Sequence, residues 1–386
     1  MKIDFQKRIL GKLRSVFWYV RYKFSSCKRL KNVIVFESSP DISDNTKAVF
    51  DEMLRRNINQ RYKLVWLLYK SDVRLPSDIP NVYYLPHWDP QAKYFSKVAR
   101  IKICCNRFLD KECNKQYVFY LSHGTWMKVT REHYKLPDWV DWCIAASPNL
   151  EESHAYDANF VREKTIGLGF PRNDVLTHAN APIRAALDTS CQKVIVWYPT
   201  FRQHNCVTYS TIINPIPLID DIESAKQLNT AAAACDTIIV IKPHPAQDIQ
   251  YIQKMNLSHI RFIDDGFFTK HCISSYEFVG SCDALITDYS SIYYDYTLCD
   301  RPIALIWADI ETYKASPGLI HNYEYMTQGG EKVYTLDELV AFVQRVSRGE
   351  DLLQAQRREI RDYVNISTDS KNSSRVVNFI SQKAKL

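Results

Sequence analysis

Cys282-Asp283-Ala284-Leu285-Ile286-Thr287-Asp288-Tyr289-Ser290-Ser291-Ile292-Tyr293-Tyr294-Asp295 reads as a buried strand giving way to a helix. Ala284–Ile286 is a short apolar run of the kind found in parallel strands covered on both faces. Thr287-Asp288 ends it, and Ser290-Ser291 then supplies two hydroxyls and a helix N-cap. A strand feeding a Ser-capped helix leaves backbone N–H groups unpaired above the sheet edge. A phosphate binds there, helped by the positive end of the helix dipole. An ordinary cap with no ligand can carry the same four residues Asp-Tyr-Ser-Ser, so the rest of the chain has to decide.

The pattern repeats on both sides of this stretch. Upstream strands are read at Val33–Phe36, Leu64–Tyr69, Val82–Leu85, Ile101–Cys104, Val118–Leu121, Cys143–Ala146 and Thr165–Leu168. Helical segments such as Asp44–Arg56 and Pro90–Ala99 separate them. After a break at Thr177–Lys193 a second series follows: Val194–Tyr198, Thr237–Ile241, Ile260–Ile263, Ala284–Ile286 and Ile303–Trp307. Thr335–Arg348 is an amphipathic helix, and Asp351–Lys385 reads as a helical tail. Alternation of this kind predicts two largely parallel α/β sheets wrapped by helices. The expected segments are 1–31, a Rossmann-like domain at 32–185, a second at 186–365, and a tail at 366–386 that crosses back.

A chain of 386 residues suits two domains, and 46% apolar residues with only 10 glycines indicate a folded protein throughout. The 11 cysteines form no CxxC and no Cys/His quartet, so a zinc site is not expected. Cysteines inside apolar runs (Cys143, Cys235, Cys282) suggest a reducing, cytosolic setting. No apolar segment approaches 18 residues, so no span is expected. Residues 1–31 hold ten Lys/Arg against Asp4, a charge of +9 within a chain of +7, which leaves the remainder at −2. In that leader Ile9, Leu13, Val16, Phe17, Val20 and Phe24 recur at helical spacing beside Trp18 and Tyr19. A basic amphipathic helix of this kind suits an anionic bilayer surface; the alternative is a solvated helix docked on its own domain. Nucleic acid is not expected, because the body has no basic stripe and no nucleic-acid motif. GxGxxG after the first strand and the Walker lysine pattern are both absent, which argues against dinucleotide enzymes and P-loop NTPases.

Five strand ends place polar groups where doubly wound sheets bind ligands. The first is Ser122-His123-Gly124-Thr125-Trp126-Met127-Lys128, where glycine lets a substrate approach the backbone. The second is Gly167 to Leu176, in which Arg172 could clamp phosphate and Asp174 could hold Arg172 or cap a helix. The third is Tyr198-Pro199-Thr200-Phe201-Arg202, and the fourth is Lys242-Pro243-His244-Pro245. The fifth is the opening stretch, continued by Asp295 and, after the next strand, Asp309. Together they offer His123, Lys128, Arg172, Arg202, Lys242, His244, Ser290 and Ser291, a cationic, hydrogen-bonding set of the kind a pyrophosphate requires. A carboxylate pair for sugar hydrolysis and a carboxylate triad for a metal are both missing from it.

These motifs, in this order, resemble the CDP-glycerol glycerophosphotransferase family of teichoic-acid and capsule enzymes. The resemblance runs from Tyr117 to Leu339 and includes His123-Gly124…Lys128, Gly169-Phe170-Pro171-Arg172-Asn173-Asp174 and Tyr198-Pro199-Thr200-Phe201-Arg202. It continues through Lys242-Pro243-His244-Pro245, Leu285 to Ser291, Arg301-Pro302-Ile303 and Tyr334 to Leu339. It implies a GT-B fold, with two Rossmann-like domains facing a cleft. The N-terminal domain would bind a lipid-linked or polymeric acceptor and the C-terminal domain the donor, CDP-glycerol, with CMP leaving. It implies His123 as base, and His244, Arg172, Arg202, Ser290 and Ser291 on the diphosphate, with Thr200, Lys242 and Asp288 beside them. Gly124, Lys128, Asp174 and Asp295 would support the site, and no cofactor or metal would be required. Work on such an acceptor implies a peripheral protein at the cytoplasmic face of the membrane, held through residues 1–31. The single catalytic unit is closer in length to the priming members of the family. CDP-ribitol as donor, a GT-B nucleotide-sugar transferase and a non-catalytic scaffold are the alternatives. One departure stands out: where the family shows Arg-Gly-Phe, this chain has Ser316-Pro317-Gly318-Leu319-Ile320.

Overall fold

Runs of β-branched and aromatic residues, buried on both faces, build the two sheets of this chain. The computed structural model describes residues 2–26, 29–70, 78–129, 134–200, 203–204, 207–208, 216–243 and 257–386. They fall into two compact units: unit 1 comprises 1–123, 135–174 and 371–386, and unit 2 comprises 124–134 and 175–370.

Unit 1 begins with helix α1 (Lys2–Phe24) and holds a sheet of β1 (Lys31–Glu37), β2 (Lys63–Leu68), β3 (Val82–Pro86), β4 (Ala99–Cys104), β5 (Tyr117–Tyr120), β6 (Trp142–Ala145) and β7 (Thr165–Gly167). Helices α2 (Asp44–Arg55), α3 (Pro90–Val98) and α4 (Glu151–Asp157) accompany them. The strand order is β3-β2-β1-β4-β5-β6-β7, every pairing parallel. Val33–Phe36 are buried on both faces, as a helix-covered parallel sheet requires. Phe36 stacks on Trp66 at 5.4 Å, and Phe50 of α2 meets both rings edge-on. The final helix, Asn372–Ala384, closes this core with Val376, Val377 and Ile380.

Unit 2 holds β8 (Lys193–Tyr198), β11 (Thr237–Ile241), β12 (Ile260–Phe262), β13 (Ala284–Thr287), β14 (Ile303–Ile306) and β15 (Glu331–Val333), with the short hairpin β9 (Gln203–His204) and β10 (Val207–Thr208) apart. Its order is β12-β11-β8-β13-β14-β15, all parallel. Ile195, Trp197, Ile239, Ile241, Ile286 and Ile306 line one core under the helix Leu336–Ser347, which contributes Leu339, Phe342, Val343 and Val346. That helix opens on a capping box: Thr335 accepts from the Glu338 N–H at 3.3 Å, and Glu338 accepts from the Thr335 N–H at 3.2 Å.

The helical tail consists of two helices, Gln354–Val364 and Asn372–Ala384, separated at 365–371. Ser367 accepts from the Asp369 N–H at 3.2 Å, the local competition that breaks helices in Ser/Asp-rich stretches. β15 was not foreseen, because a three-residue edge strand beginning Glu331-Lys332 carries no apolar run.

Candidate active site

In unit 2 the chain moves from β8 outward to β11 and β12, then returns to the other side of β8 for β13, β14 and β15. The topological switch point therefore lies between the carboxyl ends of β8 and β13, where such sheets take their ligands. Tyr198-Pro199-Thr200 leaves one strand and Asp288–Ser291 the other. Asp288 is wholly buried and accepts from the Thr200 N–H at 2.9 and 3.0 Å, from the Thr200 hydroxyl, and from the Tyr289 N–H at 2.8 Å. A carboxylate so engaged clamps two loops together; as an anion it has no affinity of its own for a diphosphate. The Ser290 and Ser291 hydroxyls are half-buried and have no hydrogen-bond partner among the described residues. Lys242, at the end of the adjacent β11, lies 3.1 Å from Asp265 and 5.8 Å from the Tyr198 ring. Thr200, Lys242, Ser290 and Ser291 thus stand at the carboxyl ends of three neighbouring strands.

The expected Ser-capped helix is corrected. Ile292–Tyr296 is a helix of only 5 residues, and Ser291 sits at its N-cap in helical geometry (φ −59°, ψ −20°) without a side-chain capping bond. All five residues are buried, so packing and not capping sets this turn, and so short a helix adds little dipole. Asp295 is buried and accepts from the Tyr276 hydroxyl at 2.6 Å. Asp309 accepts from Tyr289, whose ring stacks on Tyr313 at 3.7 Å. These two aspartates brace the turn from behind.

His123 closes the first segment of unit 1, while Gly124 and Lys128 belong to unit 2. Ser122 (φ 56°) and Gly124 (φ 147°) both take left-handed backbone, which swings the chain sharply out of the β5 end. Met127, Lys128 and Val129 then pair with Gly318–Ile320 through the Lys128–Leu319 bridge and the Val129 and Ile320 N–H groups. The segment that departs from the family pattern is therefore laid against the stretch following His123. Arg202 and His244 lie outside the described residues.

In unit 1 the switch point lies between β1 and β4. The His123 Nδ1 is 3.1 Å from the Tyr120 hydroxyl. The buried His154 of α4 stays neutral, its pKa pushed down to about 3 by burial and then by its electrostatic interaction with His123. Arg172 donates to the Asp44 carboxylate at 2.9 Å, and its backbone N–H is held by Asn45 at 3.0 Å. Asp174 does not hold Arg172. Its two oxygens each accept at 2.8 Å from the Asn372 and Ser373 N–H groups, which caps the last helix. Gly167 is dictated by space: a Cβ there would lie 2.2 Å from the Ser147-Pro148 backbone.

Glu37 went unrecognised in the sequence. It ends β1 at the switch point, wholly buried, and accepts from the Arg107 N–H at 3.0 Å with the Arg107 guanidinium 3.8 Å away. Burial outweighs those contacts and raises its pKa to about 7. No motif surrounds it; an acid closing the buried run Val33–Phe36 was the available signal.

The family model described as CDP-glycerol:poly(glycerophosphate) glycerophosphotransferase matches residues 20–382. The chain belongs to this family. It is 26% identical to the teichoic acid poly(glycerol phosphate) polymerase of Bacillus spizizenii, over 78% of this chain and 80% of that one. To the teichoic acid glycerol-phosphate transferase of Staphylococcus aureus it is 25% identical, over 80% and 82%. To the teichoic acid glycerol-phosphate primase of Bacillus subtilis it is 22% identical, over 87% and 88%. Among solved structures, the wall teichoic acid polymerase TagF in a form soaked with CDPG matches with a TM-score of 0.75 at 21% identity, covering 100% of this chain and 99% of that one. That likeness assigns a TagF-like, GT-B-like fold.

Proposed function

We propose that the chain moves glycerol phosphate from CDP-glycerol to a hydroxyl of a lipid-linked or polymeric acceptor, releasing CMP. The observation that carries the reading is the β8/β13 crevice. There Asp288 holds two loops in register and leaves the Ser290 and Ser291 hydroxyls available for a diphosphate, with Lys242 as a nearby cation. Those three hold the donor, and Arg202 and His244 are assigned to the same task from their motifs. His123 takes the proton as the acceptor oxygen attacks the β-phosphorus. The bond from that phosphorus to the CMP oxygen breaks, and CMP leaves as a phosphate that needs no strong acid. Because phosphoryl-transfer transition states are loose, clamping of the equatorial oxygens contributes more than the base. Glu37, neutral up to about pH 7, suits a hydroxyl-bearing acceptor better than a second phosphate.

The test is CMP release by the purified protein from CDP-glycerol, with CDP-ribitol and nucleotide sugars as parallel donors and a soluble acceptor analogue. Turnover confined to CDP-glycerol supports the reading; turnover confined to another donor replaces it, and no turnover with any favours a scaffold.

We also place the protein at the cytoplasmic face of the membrane. No helix among the described residues is long and apolar enough to cross a bilayer. α1 instead exposes Leu13, Val16, Phe17, Val20 and Phe24 along one stripe, with basic residues beside it. Salt should release the protein from anionic vesicles, since charge attraction is screened over about 8 Å at physiological ionic strength. Binding that is indifferent to both salt and lipid charge would remove this placement.

A further inference from the structure

At the amino-terminal edge of the unit 1 sheet, the edge opposite Glu37, lies a cavity of about 380 Å³. Its walls come from the starts of β1 and β2 (Lys31, Lys63), from Arg61, and from Trp18 and Arg21 of α1 facing Tyr94 of α3. The seven residues of β1 separate this edge from Glu37, roughly 20 Å at strand rise, so it is a different place from the candidate active site. Its described lining holds four cations and no carboxylate. Three of the four rest on aromatic rings: Lys31 at 5.5 Å from Tyr94, Lys63 at 5.1 Å from Tyr83, and Arg21 at 5.0 Å from Tyr94. Rings steady the cations, but they do not neutralise them. Four like charges around one cavity favour an anionic guest.

We propose that this cavity is a binding site for the phosphodiester headgroup of an anionic glycerophospholipid, an inference that rests on the membrane placement above. Size and position select this guest. A volume near the low end for ligand pockets suits a headgroup and not a nucleotide or a polymer. Arg14, Trp18 and Arg21 mark the docked face of α1, where Arg14 donates to Gln91 at 2.7 Å and Trp18 lies 5.2 Å from Tyr94. At about 100° per residue that face is roughly a third of a turn from the exposed stripe of Leu13, Val16, Phe17, Val20 and Phe24. A helix lying with this stripe among the acyl chains carries its flank, and so the cavity, at the depth of the headgroups. Lys31, Arg61 and Lys63 meet the phosphate there, and Asn32 and Asn81 offer amides to a polyol cap.

The experiment measures binding of the full chain to phosphatidylglycerol vesicles. It compares wild type with Lys31→Gln plus Lys63→Gln in the cavity, and with Lys12→Gln plus Lys23→Gln on the exposed surface of α1. Both pairs remove the same charge from exposed positions. The cavity pair should weaken binding at least about tenfold more than the surface pair, because charge-assisted hydrogen bonds are lost in addition to attraction at a distance. Deacylated headgroup, glycerophosphoglycerol, should displace wild type from the vesicles, while inorganic phosphate at the same concentration should not. If the two pairs lose binding equally, or phosphate competes as well as the headgroup, the headgroup site is refuted while the membrane placement stands. If wild type ignores phosphatidylglycerol vesicles altogether, both fall. The displacement arm uses wild type alone, so it decides even if a variant folds poorly.

Discussion

His123 and Glu37 lie at the carboxyl ends of strands in unit 1. His123 has the Tyr120 hydroxyl on one nitrogen and a neutral His154 nearby, so no second imidazolium competes with it at neutral pH. His123→Ala should lower turnover by roughly 100- to 10,000-fold while CDP-glycerol affinity is kept, measured by steady-state kinetics and by calorimetric binding. A parallel loss of affinity would make it a ligand of the donor. Ser290→Ala with Ser291→Ala should do the reverse, weakening donor binding by about tenfold or more. Neither serine makes a capping bond, so the double variant has no cap to lose and its melting temperature should match wild type. Glu37 gives a pH signature. Unfolded, it ionises near 4.5; folded, it keeps its proton to about 7, so the native state binds the extra proton in between. Stability should therefore fall as pH rises through that window, by on the order of 3 kcal/mol at most. Denaturant titrations of Glu37→Gln should lack that slope, and an unchanged slope would mean the carboxyl is not held neutral.

At the scale of elements, the strands were legible and the cross-chain ties were not. Each buried run such as Val33–Phe36 or Thr237–Ile241 must form a covered parallel strand, because both of its faces are apolar. Strand ends then mark the site by position alone. Which group holds which depends on chain segments far apart in sequence. Asp44, not Asp174, takes Arg172, and Asp288 turns inward to Thr200. No local pattern encodes either choice. Asp174 illustrates the energetic side: Asp174→Ala should cost about 1–2 kcal/mol, because two N–H groups at the start of Asn372–Ala384 lose their acceptor. Thermal melts should show that loss without loss of donor binding. For α1 the outcome should be milder than unfolding. Trp18 meets Tyr94 and Phe95 at 5.2 and 5.6 Å, but residues 11–24 are otherwise largely exposed. Deleting residues 1–24 should leave a folded protein, somewhat less stable and unable to hold anionic vesicles. A truncated chain that is unfolded by circular dichroism would instead make α1 part of the core.

At the scale of the whole molecule, two cores carry two separate sets of strand ends. One is built on Phe36, Trp66 and Phe119, the other on Trp197, Ile241 and Phe342. A ligand stabilises only what it binds, by about 2.7 kcal/mol at 100 times its dissociation constant. If the donor is held at the β8/β13 crevice, saturating CDP-glycerol should slow amide exchange in Tyr198–Thr200 and Asp288–Tyr296. Exchange at Glu37, Asn106 and Arg107 should stay as it was. A soluble acceptor analogue should give the converse pattern, protecting the β1/β4 ends and leaving unit 2 alone. Hydrogen exchange read by mass spectrometry separates these cases without any substitution, so a misfolded variant cannot imitate the result. Donor-induced protection confined to the β1/β4 ends would invert the assignment, giving the donor to Glu37 and Arg107 and leaving the serines of unit 2 to the acceptor.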